Sequence, residues 1–161
     1  MERLERAAAA ACNVDPLRLA EMYEELGKYN VHSVMVTRHG KVIAEGWWAP
    51  YKAEYNHIQY SVSKSFVGTA IGLAVSEGLL TVEDRILDIL DGILPSRPCE
   101  NMEKLTIRHV LTMSTGHRTE RNMFQEGESW IYSLLSSYID GEPGKEFRYI
   151  SSSTYILSAV I

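Results

Sequence analysis

The first apolar pattern along the chain is that of an amphipathic helix. Asp15 and Pro16 supply an N-cap followed by the residue that suits the first helical position. The pattern predicts a helix that runs from Pro16 up to Gly27. Its apolar residues recur at roughly helical spacing: Leu17, Leu19, Met22, Tyr23 and Leu26.

Two β-rich runs follow, at residues 31–37 and 42–46. The four residues between them include Gly40, which tolerates the positive φ that a tight reversal needs. These runs predict a β-hairpin.

Further apolar segments predict helices in the rest of the chain. Residues 59–77 form a helical pattern with little polar face, and Gly78 follows as a stop, so we expect this helix to be central and covered on nearly all sides. Four more helices are predicted: one opened by a turn resembling a capping box over residues 81–90, one capped by Thr106, and two over residues 130–139 and 151–161.

Length and charge narrow the function classes. A chain of 161 residues, 45% of them hydrophobic, can bury one core, so we expect one domain over residues 1–161. A formal charge of -5 offers no basic surface to a phosphate backbone, so no nucleic acid partner is expected. The uncharged stretches run for about a dozen residues, short of the roughly 18 that span a bilayer. Residues 1–14 lack the apolar core of a secretory signal, so we expect a cytoplasmic protein without membrane association.

The cysteines and histidines follow no metal-binding pattern. Cys12 and Cys99 are far apart in the sequence and are expected to be free thiols or packing residues. The five histidines include no H-E-x-x-H and no Cys/His cluster, so we predict surface or packing roles for them, with no metal and no cofactor.

A candidate nucleophile lies at the start of the apolar helix, where Ser61-Val62-Ser63-Lys64 fits S-x-x-K. This spacing places the Ser61 hydroxyl and the Lys64 amine on one face, one turn apart, so the amine can take or hold the hydroxyl proton. The N–H of Ser61 can donate to the oxyanion that forms on an attacked carbonyl. The alternative is a capping serine with a surface lysine. The apolar helix that follows favours the activated serine.

Residues 59–66, reading QYSVSKSF, resemble the active-site segment of the serine beta-lactamase and penicillin-binding protein superfamily. The resemblance extends over residues 68–84 and over residues 106–117, TIRHVLTMSTGH, and is strongest to class C beta-lactamase-like hydrolases and esterases. It implies an α/β (α+β) fold in which a helical cluster packs on an antiparallel sheet. It also implies a serine hydrolase that forms a covalent acyl-enzyme on an ester, amide or beta-lactam carbonyl of a small molecule.

The family's second motif, Y-x-N or Y-x-S, matches Tyr149-Ile150-Ser151. By this resemblance Tyr149 shares the proton transfer with Lys64, and Ser151 binds near the lysine or the substrate. A serine in the place of the usual asparagine favours the esterase or peptidase branches. Without the motif, Tyr149 is an interface aromatic residue and Ser151 caps the last helix.

The family's third motif, K-T-G or H-x-G on a strand, does not occur in the 161 residues. In the family this strand follows later, so we expect the N-terminal portion of a beta-lactamase-like domain, without its C-terminal strands. The predicted hairpin then keeps an unpaired edge. The alternative function is therefore a truncated, inactive fragment that forms homo-oligomers through this edge, or binds a small acyl ligand without turnover.

Overall fold

The computed structural model describes residues 4–93, 97–119 and 129–161. Its internal contacts divide the chain into two compact units, Met1–Ile58 and Gln59–Ile161, which are described separately below. The single beta-lactamase-like domain expected over residues 1–161 stays a prediction.

The first unit contains a short 3-10 turn at Ala10–Cys12, helix α1 at Pro16–Leu26, and strands β1 at Ser33–Arg38 and β2 at Lys41–Trp47. The Asp15 carboxylate accepts a hydrogen bond of 2.8 Å from the N–H of Leu17, and Pro16 occupies the first position of α1. The predicted cap is therefore confirmed, because the side chain satisfies one of the backbone donors that a helix start leaves unpaired.

Strands β1 and β2 form the predicted antiparallel hairpin. Its reversal uses His39 and Gly40, whose φ angles are 51° and 75°, a pair of positive values that matches the right-handed twist of the strands. A bulge lies opposite Val36 and Thr37. Beside β2, the N–H of Val42 donates to the carbonyl of Glu5 at 2.8 Å. Within the described ranges, the sheet consists of these two strands.

The second unit is helical. A 3-10 turn at Tyr60–Val62 leads into α2, and a second 3-10 turn follows α3 at Asp91–Ile93. The helices are α2 at Ser63–Ser76, α3 at Ile86–Ile89, α4 at Glu100–Glu103, α5 at Ile107–Leu111, α6 at Trp130–Leu135 and α7 at Ser151–Val160. Thr106 caps α5 as predicted, since its hydroxyl accepts from the N–H of His109 and the His109 ring accepts from the N–H of Thr106.

Helix α7 organises the core of this unit, packing against α2, α3, α5 and α6. The residues at the centre are almost fully excluded from solvent, and burial of side chains of this size supplies most of the favourable free energy of folding. They include Ile71, Ile86, Met102, Leu105, Ile107, Val110, Leu134, Leu135, Ile139, Ile156 and Leu157.

Helix α2 differs from its prediction in start and burial. Residues 60–62 form a 3-10 turn, so the α-helix begins at Ser63. Of residues 63–76, all of which the structure describes, only Ile71 is buried. Phe66 and Leu73 are 69% and 59% exposed. The expectation of a helix covered on nearly all sides is therefore wrong for this chain: α7 packs on one face, and the opposite face meets solvent.

Two other helices are shorter than predicted. Residues 81–84 form a turn in which the N–H and hydroxyl of Thr81 donate to the Asp84 carboxylate, and the helix begins only at Ile86. Helix α6 ends at Leu135, where Ser137 donates its hydroxyl to the carbonyl of Leu134 at 2.6 Å. Such side-chain bonds compete with continuation of a helix.

No helix among the described residues combines the length and apolar character needed to cross a bilayer. Cys12 and Cys99 are free thiols, as predicted, the first buried and the second half-buried.

Candidate active site

Ser61 lies in the 3-10 turn that precedes α2. The turn is entered through Tyr60, whose φ of 44° is a left-handed conformation that non-glycine residues seldom adopt. The hydroxyl of Ser63 donates to the carbonyl of Tyr60 at 2.7 Å and so braces this backbone. The result is an exposed Ser61 side chain directly before the N-terminus of a 14-residue helix.

Lys64 stands one turn after Ser61, on the first turn of α2. Its Nζ donates to Ser61 Oγ at 3.2 Å, so the geometry predicted from the spacing is found. The same Nζ lies 5.2 Å from the centre of the Tyr149 ring, within the range of a cation–π contact. The half-buried Lys64 side chain therefore contacts both Ser61 and Tyr149.

Tyr149 reaches the serine from the far end of the sequence. Its hydroxyl donates to Ser61 Oγ at 2.6 Å, although the two residues are 88 positions apart. Tyr149 precedes α7 by two residues, and α7 packs against α2, so helix packing brings the two ends together. Ser61, Lys64 and Tyr149 thus form one cluster, which we call the serine cluster.

The environment of Tyr149 favours its ionised form. The pKa of its phenol is lowered from the ordinary 10.0, first by the hydrogen bond with Ser61 and next by hydrogen bonding with Lys64. Desolvation opposes this shift, while the positive charge of Lys64 and a hydrogen bond from Ser151 add to it. A phenolate beside a serine hydroxyl is a proton acceptor, so this cluster can activate an oxygen nucleophile.

Ser151 is the first residue of α7 and acts on the cluster through Tyr149. The N-cap of α7 is Ile150, so the expected alternative, Ser151 as a helix cap, is not found. A contact between Ser151 and a substrate stays a prediction.

A backbone support holds the segment that leads to Tyr149, and the sequence did not predict it. The N–H groups of Gly141, Gly144 and Arg148 donate to carbonyls of residues 113–116 at 2.9, 2.7 and 2.8 Å. The accepting carbonyls belong to the stretch TMSTGH, which the family resemblance covers. Met113 is in a left-handed conformation there, with a φ of 54°, and the sequence gives no signal for such a conformation at a methionine.

His117 ties this support to the helical core. Its Nε2 lies 2.8 Å from the hydroxyl of Ser137, and its Nδ1 lies 3.0 Å from the hydroxyl of Thr115. Ser137 donates its proton to Leu134, so it accepts from His117 Nε2–H, and Nδ1 of a neutral ring accepts from Thr115. The predicted packing role of His117 is therefore found in a buried hydrogen-bond chain.

The beta-lactamase family model matches residues 19–161. The chain belongs to the beta-lactamase family. A curated relative, an uncharacterised protein of Alkalihalophilus pseudofirmus, is 30% identical over 114 residues, which cover 62% of this chain and 32% of the relative. The resemblance found in residues 59–66 is thus confirmed at the level of the family.

Solved structures of family members share the fold. A provisionally named 6-aminohexanoate-dimer hydrolase from Bacillus anthracis matches with a TM-score of 0.66 and 19% identity, over 86% of this chain and 41% of that chain. A beta-lactamase/D-alanine carboxypeptidase from Pseudomonas syringae matches with a TM-score of 0.63 and 19% identity, over 93% and 44%. These matches confirm the helical cluster with an antiparallel sheet, and the chain spans less than half the length of either structure.

The chain resembles the two hydrolases of known structure in its fold. The catalytic roles of Ser61, Lys64 and Tyr149 stay predictions, as does the expected absence of a metal and of a cofactor.

Proposed function

We propose that Ser61 is the nucleophile of a serine hydrolase that acts on ester, amide or beta-lactam carbonyls of small molecules through a covalent acyl-enzyme. The observation that supports this most directly is the environment of Ser61 Oγ. Tyr149 Oη lies 2.6 Å from it and Lys64 Nζ lies 3.2 Å from it. A serine needs such a partner because its hydroxyl is a weak nucleophile until a neighbouring group takes the proton.

The proposed reaction has two stages. Ser61 Oγ attacks the carbonyl carbon while its proton passes to the Tyr149 phenolate, which the charged Lys64 stabilises. The tetrahedral intermediate then breaks the bond to the leaving group, which takes a proton from the same pair. Water attacks the resulting acyl ester, releases the acid and restores the Ser61 hydroxyl. The lowered pKa of Tyr149 supports the tyrosine as the first proton acceptor.

The carbonyl oxygen carries negative charge in both stages. The backbone N–H of Ser61 and the positive end of the α2 dipole are suited to stabilise that charge. We place Ser151 beside the bound substrate, at the start of α7. The names of the two solved relatives, a dimer hydrolase and a carboxypeptidase, support amides among the substrates.

The test is intact-mass spectrometry of the purified chain before and after treatment with a phosphonylating serine probe. We expect one adduct per chain, mapping to Ser61, and no adduct in Ser61→Ala. The matched control is Ser65→Ala, because Ser65 is an exposed serine on the same segment and has no lysine three residues after it. The proposal fails if the wild-type chain stays unmodified, or if Ser61→Ala acquires the same adduct.

A second candidate function is self-association without turnover, and the exposed face of α2 favours it. Phe66 and Leu73 lie seven residues apart on this helix and are both largely exposed. We infer a second copy of the chain as the partner of this face. On the β2 edge of the hairpin, Val42 already pairs with residues 5–7. Sedimentation velocity at several concentrations would then show an oligomer that Leu73→Lys disperses, whereas Leu79→Lys, at an exposed leucine outside α2, leaves it intact. A monomer at every concentration would exclude this candidate.

The remaining expectations stay predictions. They are a small-molecule acyl substrate, the absence of nucleic acid and membrane partners, and a cytoplasmic location.

A further inference from the structure

Two histidines in the first unit meet at hydrogen-bond distance. His32 Nδ1 lies 2.7 Å from His57 Nε2, although 25 positions separate the residues. His32 directly precedes β1, and its carbonyl accepts from the N–H of Trp48 at 3.1 Å, so its backbone extends the hairpin. The proposed hydrolase chemistry uses neither ring.

The hydrogen bond that His57 makes through Nδ1 determines which ring nitrogens carry protons when both histidines are neutral. His57 Nδ1 lies 3.0 Å from the carbonyl oxygen of Ile58, and because a carbonyl only accepts, Nδ1 carries the proton. The lone pair of a neutral His57 is therefore on Nε2 and points at His32. An imidazole that donates its other N–H to a backbone carbonyl is the arrangement found in histidine metal ligands, where the carbonyl sets the ring orientation.

Tyr51 holds both rings in place. Its ring stacks on His32 with centroids 3.8 Å apart and an angle of 17° between the planes. It also contacts His57 at 5.4 Å and 48°. The two imidazoles are thus oriented toward each other before any ligand arrives, which lowers the ordering cost of binding.

We propose that His32 and His57 bind a divalent transition metal ion, of the class that includes Ni²⁺, Cu²⁺ and Zn²⁺, through Nδ1 and Nε2. Imidazole nitrogen suits these ions. Two bonds of about 2.0–2.1 Å at a tetrahedral angle, as for zinc, place the nitrogens roughly 3.4 Å apart. The rings therefore separate by roughly 0.7 Å, and the proton of His32 moves from Nδ1 to Nε2.

Solvent completes the coordination. His57 is exposed and His32 is half-buried, so water reaches the ion from the open side. The site contributes two protein ligands, and within the described ranges no group of three or more His, Cys, Asp or Glu side chains is arranged for a metal. A separation of 25 residues matches no metal motif, which is why the sequence predicted none.

The test is isothermal titration of the full chain with Ni²⁺. We expect one ion per chain. His32→Asn and His57→Gln should each weaken binding by at least about tenfold, since losing even an outer partner of a metal ligand costs 10–100-fold. These amides approximate the Nδ1 and Nε2 positions, so the hydrogen bond between the two side chains can persist while an imidazole is lost. His39→Asn is the matched control, because His39 is exposed in the hairpin turn with a φ of 51° that asparagine tolerates.

Three results would overturn the proposal. The first is no binding by the wild-type chain at millimolar Ni²⁺. The second is unchanged binding in either His32→Asn or His57→Gln. The third is loss of binding in His39→Asn, or in Cys99→Ser, which would assign the ion to a turn histidine or to the half-buried thiol.

Discussion

Gly116 and Gly141 meet backbone to backbone, with the N–H of Gly141 donating to the carbonyl of Gly116 at 2.9 Å. A Cβ on Gly116 would lie 2.3 Å from the Gly141 carbonyl oxygen, and the φ of Gly116 is 86°. Both facts require glycine at this position. The contact begins the backbone support that carries the chain toward Tyr149, so it positions a residue that it does not touch.

Gly116→Ala should therefore lower both stability and reactivity. The positive φ alone costs about 1–3 kcal/mol, and the backbone clash adds to that. Urea denaturation would measure the loss, and the rate of serine labelling should fall with it. Gly72→Ala is the control, since Gly72 lies in α2 with open space around it and should gain about 0.5–1 kcal/mol. Equal stability of Gly116→Ala and the wild type would contradict this account of the support.

Tyr149→Phe should slow labelling of Ser61 by about 10²–10⁴-fold, the usual contribution of general acid–base catalysis. Helix content should stay unchanged, because the Tyr149 side chain is exposed. Stopped-time mass spectrometry gives the rate. Tyr29→Phe, at an exposed tyrosine of the first unit, should label at the wild-type rate. Labelling of Ser61 at the wild-type rate in Tyr149→Phe would contradict the role of Tyr149 and would assign the proton transfer to Lys64 alone.

The ionisation of Tyr149 should occur below its ordinary pKa of 10.0, because Ser61 and Lys64 lower it. A lowered pKa means that the phenolate appears at a lower pH, so labelling should accelerate as the pH rises through that lower value and then level off. Lys64→Met removes one hydrogen bond and one positive charge, which moves the midpoint upward. The difference in tyrosinate absorbance between each chain and its Tyr149→Phe variant reports this midpoint without relying on activity. A midpoint that stays in place in Lys64→Met would contradict the role of Lys64.

Leu105→Ala should destabilise the second unit by about 2–5 kcal/mol, because Leu105 is fully buried and its truncation leaves a cavity. Leu79→Ala makes the same chemical change at a side chain that is 70% exposed, and should stay within about 0.5 kcal/mol of the wild type. Paired urea titrations compare the two. Similar losses of stability in the two variants would contradict the burial of Leu105 in the core of the second unit.

Local signals in the sequence predicted local structure well. Asp15 and Thr106 cap α1 and α5 as expected, and His39 and Gly40 turn the hairpin. Each of these features depends on one or two residues and their immediate backbone, so tertiary packing has little to override.

Features that depend on distant contacts were predicted less well. The apolar character of α2 indicated burial, yet Phe66 and Leu73 are exposed because burial depends on what packs against a face. The 3-10 turn around Ser61 begins with Tyr60 in a left-handed conformation, which the amino-acid composition does not reveal. Spacing placed Lys64 beside Ser61, but only the family resemblance placed Tyr149 there, since no local pattern links positions so far apart.

The distance between Ser61 and Tyr149 along the chain also sets when the serine cluster can form. Their hydrogen bond closes a loop of 88 residues, and the entropic cost of that closure precedes any gain from the contact. Helix α2 can form locally within about a microsecond, whereas long-range contacts set the slower folding rates. In a refolding experiment, helical signal should therefore return before Ser61 becomes reactive, and the delay between the two would time the docking of α7 on α2.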